Sequence, residues 1–273
     1  MWLPPEYALA GALVATIGWF VLRRVGRAFA AITSLEVAIV SVLYAAWRYL
    51  GEITIASTSG AMRRGQWVWD LQRSLHLPNE VTMQRWTLHS TTLMKFFNGY
   101  YIVCHVFPLG AFLVWMWFRR NEHYRVWRNV LGISSLVCIV IQWIPLAPPR
   151  MYPELGFVDA GAVYGPRVYD SAGAASAGQL AAMPSMHVAW AIVIGCGVWQ
   201  ARRTKWAIIG PLHALLTVLA VTVPAYHWLS DSIVAAALVA LGYAIATLVA
   251  RQRTDPDRRV ARAASRCHRR ETL

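Results

Sequence analysis

Apolar runs of membrane length recur along this chain, with short clusters of arginine between them. No other feature limits the fold as much. About 20 apolar residues cross a bilayer core as one helix. Inside the bilayer, backbone amides find partners only in a helix or a closed barrel. The runs here are continuous and not alternating, which argues against a barrel. They lie at roughly 6–22, 28–50, 99–118, 129–147, 184–200, 206–223 and 230–250. The expected fold class is therefore all-α, a polytopic transmembrane helix bundle of about seven spans. The chain is 57% hydrophobic and 14% charged, whereas soluble domains carry about 25% charged residues. No internal repeat is evident.

The charges predict a topology. Arg and Lys gather in "RRVGR" at 23–27, "RRNEHYRVWR" at 119–128, "ARRTK" at 201–205 and the tail after Ala250, which together hold 18 of the 26. Basic loops of this kind stay cytoplasmic. The alternate connectors, 51–98, 148–183 and 224–229, then face outside, with the N-terminus outside and the C-terminus inside. The net charge of +13 would suggest nucleic acid in a soluble protein. Here topology and anionic inner-leaflet lipids account for it, through the basic tail at 251–273, and no nucleic-acid partner is expected. The first apolar run lacks a preceding basic segment, which fits a retained anchor better than a cleaved signal. Cys104, Cys138, Cys196 and Cys267 form no C-x-x-C pair, so neither a disulfide framework nor a thiolate metal site is expected.

The connector 51–98 mixes Trp, Leu and Phe with Arg and Lys at helical spacing in "QWVWDLQRSLHLPNEVTMQRWTLHSTTLMKFF". That pattern predicts an interfacial amphipathic helix, serving as a cap over the outer ends of the bundle or as a guide for lipid.

Polar residues gather at three places. In "MPSMH", Pro184 is suited to a first helical position. The amides that follow, from Met186 on, have no partner within the helix and together with its dipole suit phosphate. Ser185 adds a hydroxyl, and His187 a group that exchanges protons near neutral pH. In "VPAYHWLSD", His227 and Asp231 stand four apart, on one helix face. An Asp on one ring nitrogen makes the other a better base or nucleophile. In "PLAPPRMYP", Arg150 presents a planar fork matched to phosphate oxygens. The topology, read from Lys and Arg alone, brings all three to the outer ends of the fourth, fifth and seventh spans. Asn98, Tyr101 and His105 fall at spacings of three and four. They line the same pocket or form a packed polar face, and Tyr226 is a further candidate for the lining. Arg167 in "VYGPRVYD" is either a second phosphate ligand or a surface residue. Two His and one Asp could suit zinc. No second acidic cluster accompanies them, however, and a cation would repel Arg150, so no metal or other cofactor is expected.

The chain resembles the type 2 phosphatidic acid phosphatase superfamily of membrane enzymes. That family carries K-x6-R-P, P-S-G-H and S-R-x5-H-x3-D. Here "PSMH" has Met186 for the glycine, and "HWLSD" supplies H-x3-D. Ala220 and Val221 stand at the Ser-Arg positions, Trp143 at the lysine, and Met151 at the proline. "APPR", "MPSMH" and H-x3-D without the preceding Arg are similar to the branch of aureobasidin-resistance proteins and inositol phosphorylceramide synthases. So is the connector pattern "WDLQRSLHLP", followed by "FFNGYYIVCH". The resemblance covers about 65–250 and implies a six-span core. Residues 1–27 then form an extra span and basic loop, 28–250 the membrane-embedded core, and 251–273 a disordered cytoplasmic tail. It further implies that His227 attacks phosphorus, Asp231 orients it, His187 protonates the leaving oxygen, and Arg150, Ser185 and nearby amides hold the phosphate. The implied substrate is a lipid phosphate or phosphodiester. The implied location is a bacterial plasma membrane, with the site on the extracytoplasmic face. A non-catalytic transporter or scaffold is the competing reading, and it would require ionisable residues at mid-bilayer. His213 and Glu36 are the candidates for that.

Overall fold

The computed structural model describes residues 4–53, 60–104, 106–165, 178–202 and 204–254. Among these residues the chain is helical, with no strand beyond an isolated bridge between Leu146 and Ala181. The helices are α1 (Pro5–Arg24), α2 (Ala28–Ile53), α3 (Ala61–Ser74), α4 (Glu80–Leu88), α5 (Thr91–Val103), α6 (Val106–Arg119), α7 (Asn121–Gln142), α8 (Ala160–Tyr164), α9 (Met186–Ala201), α10 (Ile209–Thr222) and α11 (Leu229–Thr254). The molecule is an all-α membrane bundle.

Among the described residues, five segments are long and apolar enough to cross a membrane: α1, α2, α7, Lys205–Thr222 and α11. The axes of α5 and α6 meet at 49°, and together they make a sixth if taken as one broken span. The expected fifth span, α9, has only 16 residues, short of the roughly 20 that a bilayer core asks for. It is apolar all round and buried on most sides, which marks a helix enclosed by its neighbours rather than facing lipid. It lies very close to α10: a Cβ on Gly210 would sit 2.8 Å from the Gly195 carbonyl oxygen, so a larger residue there would push the two helices apart.

Several expected boundaries move. Residues 121–128, expected as loop, are the opening turns of α7. Hydropathy registers where apolarity stops, but Asn, Glu and Arg continue a helix readily. At its other end α7 stops at Gln142, before Pro145, Pro148 and Pro149, which lack the amide needed to continue it. Pro184 is not the first helical residue of α9. Ser185 is the cap and Met186 the first residue.

Helix α2 meets the rest of the bundle through the Arg128–Glu36 ion pair and a 3.3 Å hydrogen bond from Trp117 Nε1 to Thr33 Oγ1. The connector before α5 is two helices and not one. Asn79 caps α4, its side chain accepting from the Val81 and Thr82 amides. Helix α3 buries Ala61, Gly65, Val68 and Gln72, a stripe at spacings of four, three and four, while Trp67 and Leu71 face outward. Helix α4 buries Glu80, Val81, Gln84 and Thr87 and exposes Trp86. The buried stripes face the polypeptide between α7 and α9. Gln84 Nε2 donates to the Val158 and Val223 carbonyls, and its Oε1 accepts from the Val158 amide at 2.8 Å. Tyr152 donates to the Met62 carbonyl. Burial pushes its phenol up to about 12, so it remains a neutral donor. Residues 255–273, the expected basic tail, lie outside the described residues.

Candidate active site

Three chain reversals converge at one end of the bundle. The first follows α7. Pro149–Met151 forms a single 3₁₀ turn, and the Arg150 amide donates to the Ala225 carbonyl at 2.9 Å. Its guanidinium is buried, with Cζ 5.9 Å from the centre of the Tyr226 ring. Arg150 Nη2 donates to the Gln179 carbonyl at 3.4 Å, and Nε lies 4.0 Å from Asp159 Oδ2.

The second reversal opens α9. Ser185 Oγ accepts from the Val188 amide at 3.5 Å, a long capping bond, and the residue is fully buried. Its hydroxyl is thus turned onto its own helix. The Met186 side chain belongs to the apolar core. His187 is half-buried, and its ring centre lies 4.5 Å from that of Tyr101.

The third reversal joins α10 to α11. Ala225 has φ of 65°, a left-handed conformation uncommon for any residue but glycine. The amides of Tyr226 and His227 both donate to the Val221 carbonyl, which tightens the turn. Ala220 and Val221 are themselves fully buried apolar residues. His227 is buried, and its Nδ1 has two acceptors: the Ala182 carbonyl at 2.7 Å and Asp231 Oδ2 at 3.2 Å. Two acceptors at one nitrogen assign a ring hydrogen to Nδ1, so the neutral ring carries its lone pair on Nε2. Asp231, fully buried, also accepts from the Trp228 amide at 2.8 Å through Oδ2. Its backbone carbonyl accepts from the Ser185 amide at 3.3 Å. One residue therefore ties the start of α9 to the start of α11.

The rings of His187 and His227 face each other edge-on, with centres 5.9 Å apart. Beside them Tyr101 stacks on Tyr226 at 4.6 Å. Tyr226 donates to Asn98 Oδ1, and Asn98 Nδ2 donates to the Gly165 carbonyl at 2.9 Å. Arg150, His187, His227, Asp231, Asn98, Tyr101 and Tyr226 thus form one connected cluster. His105 and Arg167 lie outside the described residues. No three His, Cys, Asp or Glu converge as a metal-binding group among the described residues.

The residue types gave no notice of several neighbours. Ala182 and Gln179 act through backbone carbonyls, which carry no side-chain signature. Gln72 and Glu80 reach the start of α11 from the connector, where Ser230 N donates to Gln72 Oε1 and Leu229 N to Glu80 Oε1. A signal for them did exist: each is a polar residue on the buried stripe of an amphipathic helix.

No curated protein and no solved structure matches the chain. Over residues 66–245, from α3 into α11 and through every residue of the cluster, the sequence matches the family model described as PAP2 superfamily, and the chain belongs to that superfamily.

Proposed function

We propose that the chain is a lipid phosphate phosphohydrolase or phosphotransferase that works through a phosphohistidine on His227. Superfamily membership supports the general class. One observation carries the assignment of roles: His227 has Nδ1 committed to two acceptors while its ring faces that of His187 at 5.9 Å. In the reaction, His227 Nε2 attacks phosphorus and the bond from phosphorus to the leaving oxygen breaks. Protonated His187 gives its proton to that oxygen, which would otherwise depart as an alkoxide. Asp231 stabilises the charge that develops on the His227 ring. Water or an alcohol then attacks phosphorus, and His187 takes the incoming proton. The phosphorus–nitrogen bond breaks, and both rings return to their starting states. Arg150 holds the equatorial oxygens.

The substrate class follows from the surroundings. An apolar groove of about 510 Å³ runs along the bundle, lined by Leu43, Leu109, Leu113, Ile139 and Trp190 among others. Trp190 is less than one helical turn from His187. The groove is lined by no residue of the cluster itself, and Trp190 is what brings it near the rings, so it is the proposed seat for the tails of a lipid substrate. The likeness of "APPR", "MPSMH" and H-x3-D to inositol phosphorylceramide synthases favours an alcohol acceptor, with inositol phosphate as the group moved. The basic loops favour an extracytoplasmic site. Of the two candidates for the transporter reading, Glu36 is paired with Arg128, and His213 is bonded through Nδ1 to the Tyr100 hydroxyl, with its Nε2 buried and without a hydrogen-bond partner among the described residues.

The test is to trap and map the intermediate. Purified protein given phosphate-labelled lipid should carry acid-labile label on His227, and His227→Ala should lose both the label and at least about 10⁴-fold in turnover. Near-normal turnover in His227→Ala would remove the nucleophile assignment. Release of free phosphate, against formation of a new phosphodiester, distinguishes hydrolysis from transfer.

A further inference from the structure

The opening turn of α11 is held in an unusual way. A helix start leaves its first amides without partners, and the ordinary remedy is a local Ser, Thr, Asp or Asn cap. Trp228, which precedes Leu229, cannot act as one. The amides are filled otherwise. Trp228 N donates to Asp231 Oδ2 at 2.8 Å, and Asp231 N to the Trp228 carbonyl at 3.0 Å. Leu229 N donates to Glu80 Oε1 at 3.1 Å, and Ser230 N to Gln72 Oε1 at 2.9 Å. The last two acceptors come from α4 and α3, about 150 residues earlier in the chain. Both are buried, Glu80 at 0% and Gln72 at 1% exposure. Burying a carboxylate is costly unless it is paired. Glu80 Oε2 is paired with Arg73 Nη2 at 3.3 Å, which also donates to the Pro78 carbonyl. Arg73 is kept in place by the Trp69 ring, 4.7 Å from its Cζ.

This remote cap bears on the chemistry because Asp231 lies within the capped turn. Asp231 Oδ2 divides itself between the Trp228 amide and the His227 ring. If Leu229 and Ser230 shift, Asp231 shifts with them, and the ring loses one of its two acceptors. Glu80 also adds a second carboxylate beside the positive end of α11.

We propose that Glu80 and Gln72 are positioning residues for the reaction at His227, clamping the first turn of α11 and thereby holding the Asp231 carboxylate against Nδ1 of the His227 ring. The proposal rests on the phosphoryl-transfer reading for its consequence in turnover, but its geometric part can be read without turnover. The experiment uses the full chain in lipid nanodiscs, as wild type, Glu80→Ala and Glu80→Gln, with ¹⁵N-labelled imidazoles. In wild type the His227 resonances should report hydrogen on Nδ1 and a lone pair on Nε2. Glu80→Ala should shift the Nδ1 resonance as Asp231 withdraws and the Ala182 carbonyl alone accepts its hydrogen, with kcat on a dispersed lipid phosphate reduced about 100-fold, as for a small misplacement of a reacting group, and KM within about twofold. Glu80→Gln retains an oxygen acceptor for Leu229 N and should restore the wild-type Nδ1 resonance and most of the kcat.

An unchanged ring signature in Glu80→Ala overturns the proposal whatever the turnover. A changed signature with wild-type kcat overturns it too. If Glu80→Ala does not fold, Gln72→Ala carries the same measurement with the same two outcomes. If the wild type turns over no lipid phosphate, the phosphoryl-transfer reading fails, and the ring signature alone decides whether the clamp exists.

Discussion

The two histidines stand at two helix starts that are built differently. Before α11, His227 is buried, its ring fixed by two acceptors at Nδ1, and the amides around it are filled by Asp231, Glu80 and Gln72. In the first turn of α9, His187 is half-buried against Tyr101, behind a single long capping bond from Ser185. The difference separates two kinds of chemical work. A nucleophile needs one nitrogen aimed at phosphorus in a constant tautomer, and burial with paired acceptors gives it that. A proton donor must lose and regain its proton in every cycle, which requires access to solvent and tolerance of both charge states. The asymmetry is a geometric argument for the proposed roles, separate from the order of the motifs.

The sharpest way to break this assignment is to vary the leaving group. His187→Ala should lose about 10³-fold in kcat on a lipid phosphate with an alkoxide leaving group, and about tenfold or less on an aryl phosphate whose phenolate needs no proton. Steady-state rates on the two substrates suffice. Equal losses on both would return His187 to a binding role and erase the distinction between the helix starts. Asp231→Asn sharpens the other side. The amide oxygen can still accept from Trp228 and the ring, but the charge facing a developing imidazolium is lost. Oδ1 of Asp231 has no hydrogen-bond partner among the described residues, so an NH₂ placed there is a buried orphan donor. The expected loss in kcat is about 10²-fold, with the phosphoenzyme still detectable but forming slowly in rapid-quench labelling.

Much of this contrast was legible in the sequence, and the rest was hidden for physical reasons. Helices follow from apolar runs because the bilayer demands internal hydrogen bonds, so α1, α2 and α11 stand close to where hydropathy puts them. The start of α7 was hidden because a helix does not end where apolarity ends. The placement of Arg150, His187, His227 and Asp231 at the ends of the fourth, fifth and seventh apolar runs pointed to one end of the bundle. The acceptors that make His227 different did not show. The Ala182 carbonyl belongs to an unremarkable residue type, and Ala225 takes its left-handed turn without the glycine that would announce it. Glu80 and Gln72 are legible only once α3 and α4 are known to bury their polar stripe.

Arg150 bridges the two helix starts, its amide on Ala225 before α11 and its guanidinium on Gln179, which precedes α9. Arg150→Lys keeps the charge but loses the fork that reaches both a carbonyl and a phosphate oxygen. The expected result is a loss of about tenfold in kcat/KM, carried mostly by KM, together with an unchanged leaving-group dependence. A changed dependence would place Arg150 in the proton-transfer step and blur the division between the rings.

Tyr226 links the same two regions more weakly. Its ring stacks on Tyr101, which touches His187, and it lies under Arg150. Its hydroxyl donates to Asn98, which is fully buried. Tyr226→Phe keeps the stack and removes the donor. Asn98 Oδ1 then loses that donor within a buried site, which costs about 1–3 kcal/mol of stability. Because the ring surface over which Arg150 lies is unchanged, kcat/KM should stay within about threefold of wild type. Thermal unfolding in detergent should therefore register this substitution more clearly than turnover does. A larger loss of activity than of stability would mean that the phenol takes part in the reaction, and the row of aromatic rings would then belong to the chemistry of both helix starts instead of supporting it.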